Sequence, residues 1–243
     1  MIKIKHYTAN FNYFDSINTP EKAYWLGFIW ADGYIAKRER VDKKGRTRIE
    51  YNLKISLKDT DSGHLQKFID CIEGNYPILF YKNKGFGQTM TECRVFITNK
   101  HLGEVLYENY GIIPGRFNAS KVLKVLPKEL EKYFILGLFD GDGSFSAYSG
   151  SYGKKLNVGF GGSEQLLTFI EQHLTRKNVI KPCLNDSKSR KISQRHKNAD
   201  GSWRQLKFAG KVQGMNILNY LYKNSPIYLD RKYQKYLDLP YHN

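Results

Sequence analysis

Two aspartates, Asp32 and Asp142, end two copies of the same kind of segment. Each copy is apolar and helix-length and finishes in Asp-Gly, over Trp25–Gly33 and Ile135–Gly143, so the aspartates lie 110 residues apart. A carboxylate at a helix C-terminus meets the negative end of the helix dipole. A divalent cation shared by two such ends would compensate this charge, and Mg²⁺ suits hard oxygen ligands. A metal held by carboxylates and facing a phosphate indicates phosphodiester hydrolysis.

A single Asp-Gly also has interpretations that involve no metal. Each aspartate could cap its own turn or pair with a nearby lysine. Two copies in register, in a chain with a formal charge of +16, favour the metal. Asp140 has Trp30 as its counterpart in the first copy, so we leave it outside the predicted metal ligands.

The charge balance indicates a polyanionic partner. There are 39 Lys and Arg against 23 Asp and Glu, and aromatic residues, 14% of the chain, are interleaved with the charge. Nucleic acid is the commonest polyanion in cells. No basic amphipathic anchor or apolar run of bilayer length stands out, which argues against a membrane partner. Three scattered cysteines (Cys71, Cys93, Cys183) indicate a reducing compartment rather than a zinc site.

Small residues recur four apart within both segments. Gly27 with Ala31, and Gly137 with Gly141, each lie on one face of a helix. Small residues at this spacing let two backbones approach closely. We therefore expect the two segments to be helices that pack against each other.

Periodicity around the segments predicts the same order of elements twice, an α+β protein of two αββαββα repeats. The first helix begins with Thr19 as N-cap and Pro20 at its first position, and Gly33 ends it as a C′ glycine. The second begins at Pro127. The predicted bounds are an N-terminal arm at 1–18, a first repeat at 19–110, a linker at 111–126, a second repeat at 127–238 and a tail at 239–243.

The strands between the helices offer candidate nucleic-acid contacts. Residues 46–58 alternate between apolar and polar, which predicts a sheet with one face on a core and one face free. A basic hairpin over 181–195 and 203–209 is its counterpart in the second repeat. The candidates for reading DNA are Arg46, Arg48, Asn52, Lys54, Ser56, Lys58, Arg190, Gln194, Arg195, Trp203, Gln205 and Lys207.

The paired segments resemble the double motif of LAGLIDADG homing endonucleases of the monomeric, two-repeat class, over about residues 20–238. The resemblance implies motif helices at the repeat interface and antiparallel sheets that form a saddle over the DNA major groove. It implies metal ligation at Asp32 and Asp142, to which we add Ala31 and Gly141 as further candidates. Members often carry a basic residue before the last helix of each repeat; Lys100 and Lys211 match that place, as catalytic groups or as plain phosphate contacts.

We expect a site-specific, intron-encoded DNA endonuclease that cuts both strands of a long double-stranded target with Mg²⁺. Mn²⁺ or Ca²⁺ could also occupy the metal site. Two alternatives stay open on the same scaffold: an intron maturase that binds RNA, and a repressor that has lost catalysis. Met1 stands where an intein would carry its splicing nucleophile, which argues against an intein. The calcium loop that Asp140 could begin lacks its Gly and Glu positions, which argues against an EF-hand. We expect an intracellular protein, in a bacterial or phage-host cytoplasm or an organelle, and not a secreted one.

Overall fold

The structure is a computed structural model that describes residues 6–85, 88–114, 119–150, 153–181, 190–194 and 204–241. The helices are α1 (Pro20–Asp32), α2 (Ser62–Cys71), α3 (Lys100–Glu104), α4 (Ser120–Val125), α5 (Glu131–Asp142), α6 (Glu164–Arg176), α7 (Lys211–Tyr222) and α8 (Asp230–Leu237). The strands are β1 (Gly33–Val41), β2 (Thr47–Lys58), β3 (Leu79–Gly85), β4 (Gln88–Thr98), β5 (Ser144–Gly150), β6 (Gly153–Gly162), β7 (Arg190–Gln194) and β8 (Arg204–Ala209).

The described residues fall into two compact units. The first unit takes residues 6–17 and 32–114, and the second takes residues 18–31 together with the described residues from 119 onward. Most of α1 therefore groups with the second unit, although the sequence repeat counts it with the first.

The first unit is built on an antiparallel sheet with the strand order β1-β2-β4-β3. Leu53 pairs with Ile97 and Ile55 pairs with Val95, so the apolar positions of the two central strands share one face. All four side chains are buried, and α2 packs against both strands. The alternation in β2 thus sets which face is covered.

Residues before α1 are tied to the first unit. The amide of Asn10 donates to the carbonyl of Ile72 at 2.6 Å, and the amide of Asn75 donates to the carbonyl of Thr8 at 3.1 Å. Phe14 is fully buried, and its carbonyl accepts a hydrogen bond of 2.7 Å from the hydroxyl of Tyr110. The arm is part of this core.

The second unit repeats the arrangement with the order β5-β6-β8-β7. Val158 pairs with Phe208 and Phe160 pairs with Leu206, and all four are buried. Helices α6 and α7 pack on this face. Gly214 of α7 lies so close to β6 that an added Cβ would be 2.7 Å from the Leu156 side chain.

The two motif helices, α1 and α5, touch through their glycines. A Cβ on Gly27 would lie 2.1 Å from the carbonyl oxygen of Phe134, and one on Gly137 would lie 2.0 Å from that of Tyr24. Real Cβ atoms do not come this close to backbone atoms. Glycine at both places therefore lets the helices pack backbone to backbone.

The ends of the motif helices differ from the sequence-based expectation. The second helix begins at Glu131 rather than at Pro127, because a turn in which the amide of Leu130 donates to the carbonyl of Pro127 at 2.9 Å precedes it. Gly33 begins β1 and does not have a positive φ, and Gly143 is extended with a φ of −78°. Gly33 thus follows the last residue of the first motif helix, as predicted, but without the positive φ that is common at a C′ glycine. Gly143 is needed for space, since a Cβ there would lie 2.3 Å from the ring of Phe139.

Three further elements depart from prediction. The sequence of residues 100–110 predicts a single helix, whereas the structure has α3 followed by a π-helical turn at Val105–Asn109. The predicted linker contains α4. Of the strand expected over 181–195, only Arg190–Gln194 is a described strand; residues 182–189 and 195 lie outside the described residues. Within the described part of the chain, no helix is long and apolar enough to cross a bilayer.

Candidate active site and nucleic-acid interface

Both candidate metal-binding aspartates stand at the junction of a motif helix and the first strand of a sheet. Asp32 is the last residue of α1, directly before β1, and its side chain is partly exposed. Asp142 is the last residue of α5, one residue before β5, and is exposed. Each carboxylate thus reaches solvent from a helix–strand junction in its own unit.

The C-terminal end of α5 is neutralised by a buried lysine that sequence reasoning missed. The Nζ of Lys232, on α8, donates to the carbonyls of Phe139 at 2.5 Å and Gly143 at 2.6 Å, and lies 3.5 Å from that of Gly141. A cation at a helix C-terminus offsets the dipole. The dipole argument used for Asp142 at the sequence level therefore does not by itself require a metal.

Asp140 is part of the core. It is 1% exposed and accepts hydrogen bonds from the hydroxyls of Tyr24 at 2.8 Å and Tyr222 at 3.1 Å and from the amide of Leu229 at 2.7 Å. Burial raises the pKa of Asp140 to about 6, against the opposing effect of the nearby Lys232 charge and these hydrogen bonds. Its oxygens are turned to protein donors, which suits a structural role.

The oxygens at the end of α5 fit a hard cation. The Asp142 carboxylate is exposed, and the Gly141 carbonyl makes only a long contact with Lys232. Among the described residues, no three or more His, Cys, Asp or Glu side chains gather into a metal cluster. A donor set this small suits Mg²⁺, which commonly takes one or two carboxylates and fills its octahedron with water and phosphate oxygens.

The two candidate lysines occupy the same place in their respective units. Lys100 begins α3 directly after β4, where Asn99 caps the helix by accepting a 2.9 Å hydrogen bond from the amide of Leu102. Lys211 begins α7 after β8, and its Nζ lies 5.1 Å from the centre of the Tyr241 ring. Both are exposed, and a helix N-terminus is a favourable place for a phosphate.

The uncovered side of the first sheet, which we call the first open face, carries most of the candidates there. Asn52, Lys54 and Ser56 are partly exposed and Lys58 is exposed, while the residues between them are buried. At the hairpin end, Arg46 is tied to Asp42 by its Nε at 2.9 Å, and Arg48 lies 3.8 Å from the same carboxylate. These two arginines are therefore partly neutralised by the turn.

The first open face also holds residues that sequence reasoning missed. Lys54 pairs with Tyr34 on β1 and with Phe96 on β4, and its Nζ lies 5.4 Å from the centre of the Tyr34 ring. Arg94 sits over the ring of Tyr81 at 4.5 Å. The alternation of polar and apolar residues over 91–98 was the sequence signal that could have identified Arg94 and Phe96.

The second sheet has a corresponding second open face, on the side away from α6 and α7. Gln205 and Lys207 lie on it, opposite Gly161 and Gly159. Arg190 and Gln194 are instead paired with Phe208 and Arg204, positions of the covered face: Phe208 is buried, and Arg204 contacts Glu164 of α6 at 3.0 Å. In the same register Lys191 and Ser193 pair with Lys207 and Gln205, and Arg190 and Gln194 stay predicted DNA contacts. Arg195 and Trp203 lie outside the described residues.

Sequence comparison identifies no matching family model and no matching curated protein, whereas comparison of structures finds proteins of similar fold. The LAGLIDADG meganuclease I-CpaMI bound to uncleaved DNA matches with a TM-score of 0.55 at 15% identity, over 91% of this chain and 90% of that one. The LAGLIDADG homing endonuclease I-GzeII in complex with its DNA target matches with a TM-score of 0.55 at 14% identity, over 92% of this chain and 88% of that one. The I-SmaMI LAGLIDADG homing endonuclease bound to cleaved DNA matches with a TM-score of 0.56 at 15% identity, over 92% of this chain and 88% of that one. I-SmaMI has also been solved bound to an uncleaved DNA target in the presence of calcium ions. The chain therefore has the α+β fold of the LAGLIDADG homing endonucleases, with two repeats, two open antiparallel sheets and packed motif helices.

Proposed function

We propose that the protein is a site-specific DNA endonuclease that hydrolyses both strands of a long double-stranded target with a divalent metal. The observation that carries this proposal is the repeated pairing of an accessible aspartate with a sheet whose open face is basic and polar. The structural relatives bound to DNA support the same conclusion.

The length of the sheets supports a long target. Strand β2 has 12 residues, which at about 3.3 Å per residue spans roughly 40 Å. One turn of B-DNA advances about 34 Å. A single sheet can therefore follow about one turn of the major groove, where each base pair presents a distinct set of donors and acceptors.

The proposed roles follow from residue chemistry. Asp32 and Asp142 each supply a carboxylate ligand for a divalent metal, with the Gly141 carbonyl as a further oxygen and Ala31 as its counterpart. Bound Mg²⁺ would activate water and stabilise charge on the phosphate. Lys100 and Lys211 supply positive charge beside helix N-termini, where a phosphate is attracted. The open faces bind and orient the duplex. Binding requires little deformation of the protein, because the sheets are already formed.

The test is cleavage of a randomised double-stranded DNA library with Mg²⁺, followed by sequencing of the cut ends. We expect one preferred long site, cut on both strands. Asp142→Asn and Asp32→Asn should each lower the cleavage rate by at least about a hundredfold, the scale of losing one charge-stabilising group, with DNA affinity changed less than about threefold. The matched control is Asp238→Asn, an exposed aspartate after α8.

Undiminished cleavage by Asp142→Asn would refute the metal role. Sequence-specific DNA binding without cleavage by the purified wild type would favour a repressor instead. Binding and splicing of the host intron RNA, without DNA cleavage, would favour a maturase.

A further inference from the structure

The buried Lys232 is unused by the roles above. Its side chain is on α8 and the residue is only 7% exposed. Burying an ammonium group is costly unless its donors are satisfied. The protein accepts this cost at the end of the second motif helix, beside the candidate catalytic aspartate.

We propose that Lys232 is the positioning residue for Asp142, which it holds in place through the backbone on both sides of that residue. The inference rests on the proposed endonuclease activity. It assigns a role to a residue far from the motif in sequence.

The contacts of Lys232 bracket Asp142. Its Nζ donates to the carbonyls of Phe139 at 2.5 Å and Gly143 at 2.6 Å, with the Gly141 carbonyl at 3.5 Å. Gly141 and Gly143 are the immediate neighbours of Asp142 in sequence. One ammonium group therefore joins the last turn of α5 to the first peptide after it.

The same turn is constrained from two more directions. The amide of Gly143 donates to the Phe139 carbonyl at 2.9 Å, so this carbonyl accepts two hydrogen bonds. The Nζ of Lys232 also lies 5.3 Å from the centre of the Phe139 ring, within the range of a cation–π contact. The position of the ammonium is thus set by the core and not by solvent.

A second lysine on α8 extends the arrangement. Lys235 is one turn further along and donates to the carbonyl of Phe145 at 2.5 Å, while its Nζ lies 4.7 Å from the centre of the Phe145 ring. Residues three apart on a helix share a face. Helix α8 therefore holds the whole junction from α5 into β5, with Lys232 at the aspartate and Lys235 beyond it.

The charge of Lys232 also weakens the unfavourable electrostatic effect of the helix dipole on Asp142. An ionised carboxylate at a helix C-terminus is destabilised by the dipole. A cation on the carbonyls of that end cancels part of this effect. Lys232 therefore lowers the electrostatic cost of placing the Asp142 carboxylate at this helix end.

The experiment compares Lys232→Met with Lys235→Met, which removes the neighbouring ammonium from the same helix face. Hydrogen exchange of residues 139–145 is measured on the protein alone, without metal or DNA. Losing these charge-assisted hydrogen bonds should speed exchange there about tenfold in Lys232→Met, and by less than about threefold in residues 139–143 of Lys235→Met. Unchanged exchange in Lys232→Met would overturn the proposal.

Single-turnover cleavage gives the second readout. At saturating DNA, Lys232→Met should cut at least about tenfold more slowly, because misplacement of a catalytic group by about 1 Å can cost up to a hundredfold. The DNA concentration that gives half the maximal rate should stay within about threefold, since Lys232 does not lie on an open face. A normal maximal rate with a raised half-saturating concentration would also overturn the proposal.

A shorter polar variant guards against misfolding. Lys232→Gln keeps an amide donor but loses the charge, and it should change both readouts in the same direction. If wild type fails to cut any DNA, the proposed endonuclease function fails, whereas the exchange comparison still decides whether Lys232 orders the turn.

Discussion

The hydroxyl of Tyr24 donates a 2.8 Å hydrogen bond to the buried carboxylate of Asp140, and thereby links the two motif helices. Tyr24 meets α5 twice, because its backbone carbonyl also lies against Gly137. The Asp140 of the second motif thus differs from its first-motif counterpart, Trp30, for a structural reason. It is the acceptor at the centre of a helix-packing network.

Tyr24→Phe should destabilise the protein by about 1–3 kcal/mol, the cost of leaving a buried acceptor one donor short. The measurement is the free energy of unfolding in urea. Tyr34→Phe, at an exposed tyrosine on the first open face, is the control and should change it by less than about 0.5 kcal/mol. Equal effects of the two changes would show that the hydrogen bond to Asp140 does not matter for stability.

Gly137→Ala should cost about 2 kcal/mol or more, because a backbone atom occupies the place of the new Cβ and the helices must separate. Gly63→Ala is the matched control, since the Cβ of that helical residue would have nothing within 4 Å; it should be neutral or stabilising. Thermal unfolding of both variants tests the difference. A Gly137→Ala protein as stable as Gly63→Ala would refute close packing of α1 on α5.

His64 should make stability depend on pH. Burial, with a smaller effect of the Lys67 charge, lowers its pKa to about 3, while an unfolded histidine titrates near 6.5. Between these values the unfolded state binds the proton and the folded state does not, so stability is full above pH 6.5 and falls as pH drops. From pH 7.5 to pH 5 the loss attributable to His64 should be about 2 kcal/mol.

His64→Gln removes this titration, so the free energy of unfolding should fall less steeply with pH than in the wild type. Urea unfolding at both pH values provides the comparison. Parallel pH profiles for the two proteins would show that His64 is not held neutral by burial.

Lys54→Ala should weaken DNA binding and lower its salt dependence by about one unit of slope, as expected for losing one phosphate contact. Lys54 lies on the first open face beside Tyr34 and Phe96. Lys67→Ala removes an equal charge from α2, on the covered side of the sheet, and should leave the slope unchanged. Binding titrations across a range of salt concentrations, with Ca²⁺ in place of Mg²⁺, test both. Equal slopes for the two variants would rule out the open face as the binding surface.

Local sequence was sufficient where one element carries its own pattern. The alternation in residues 47–58 predicts which side chains of β2 are covered, because successive residues of a strand point to opposite faces. The small residues of the motifs likewise predict close helix packing from local sequence. In the structure a backbone carbonyl of the other motif helix occupies the place of a Cβ at both Gly27 and Gly137. The start of α5 could not be predicted this way, because Pro127 is equally compatible with the turn that occupies that place.

Only the tertiary structure decided which residues from distant parts of the chain contact each other. The register of β7 depends on pairing with β8 rather than on any local pattern. Lys232 reaches the carbonyls around Asp142 across about 90 residues of sequence. No periodicity marks it, because a single buried ammonium is specified by the place where α8 docks. The sequence by itself determined the repeated helix that ends in Asp-Gly and the alternating strands beside it; only packing decided that a lysine from the last helix holds the second of those ends.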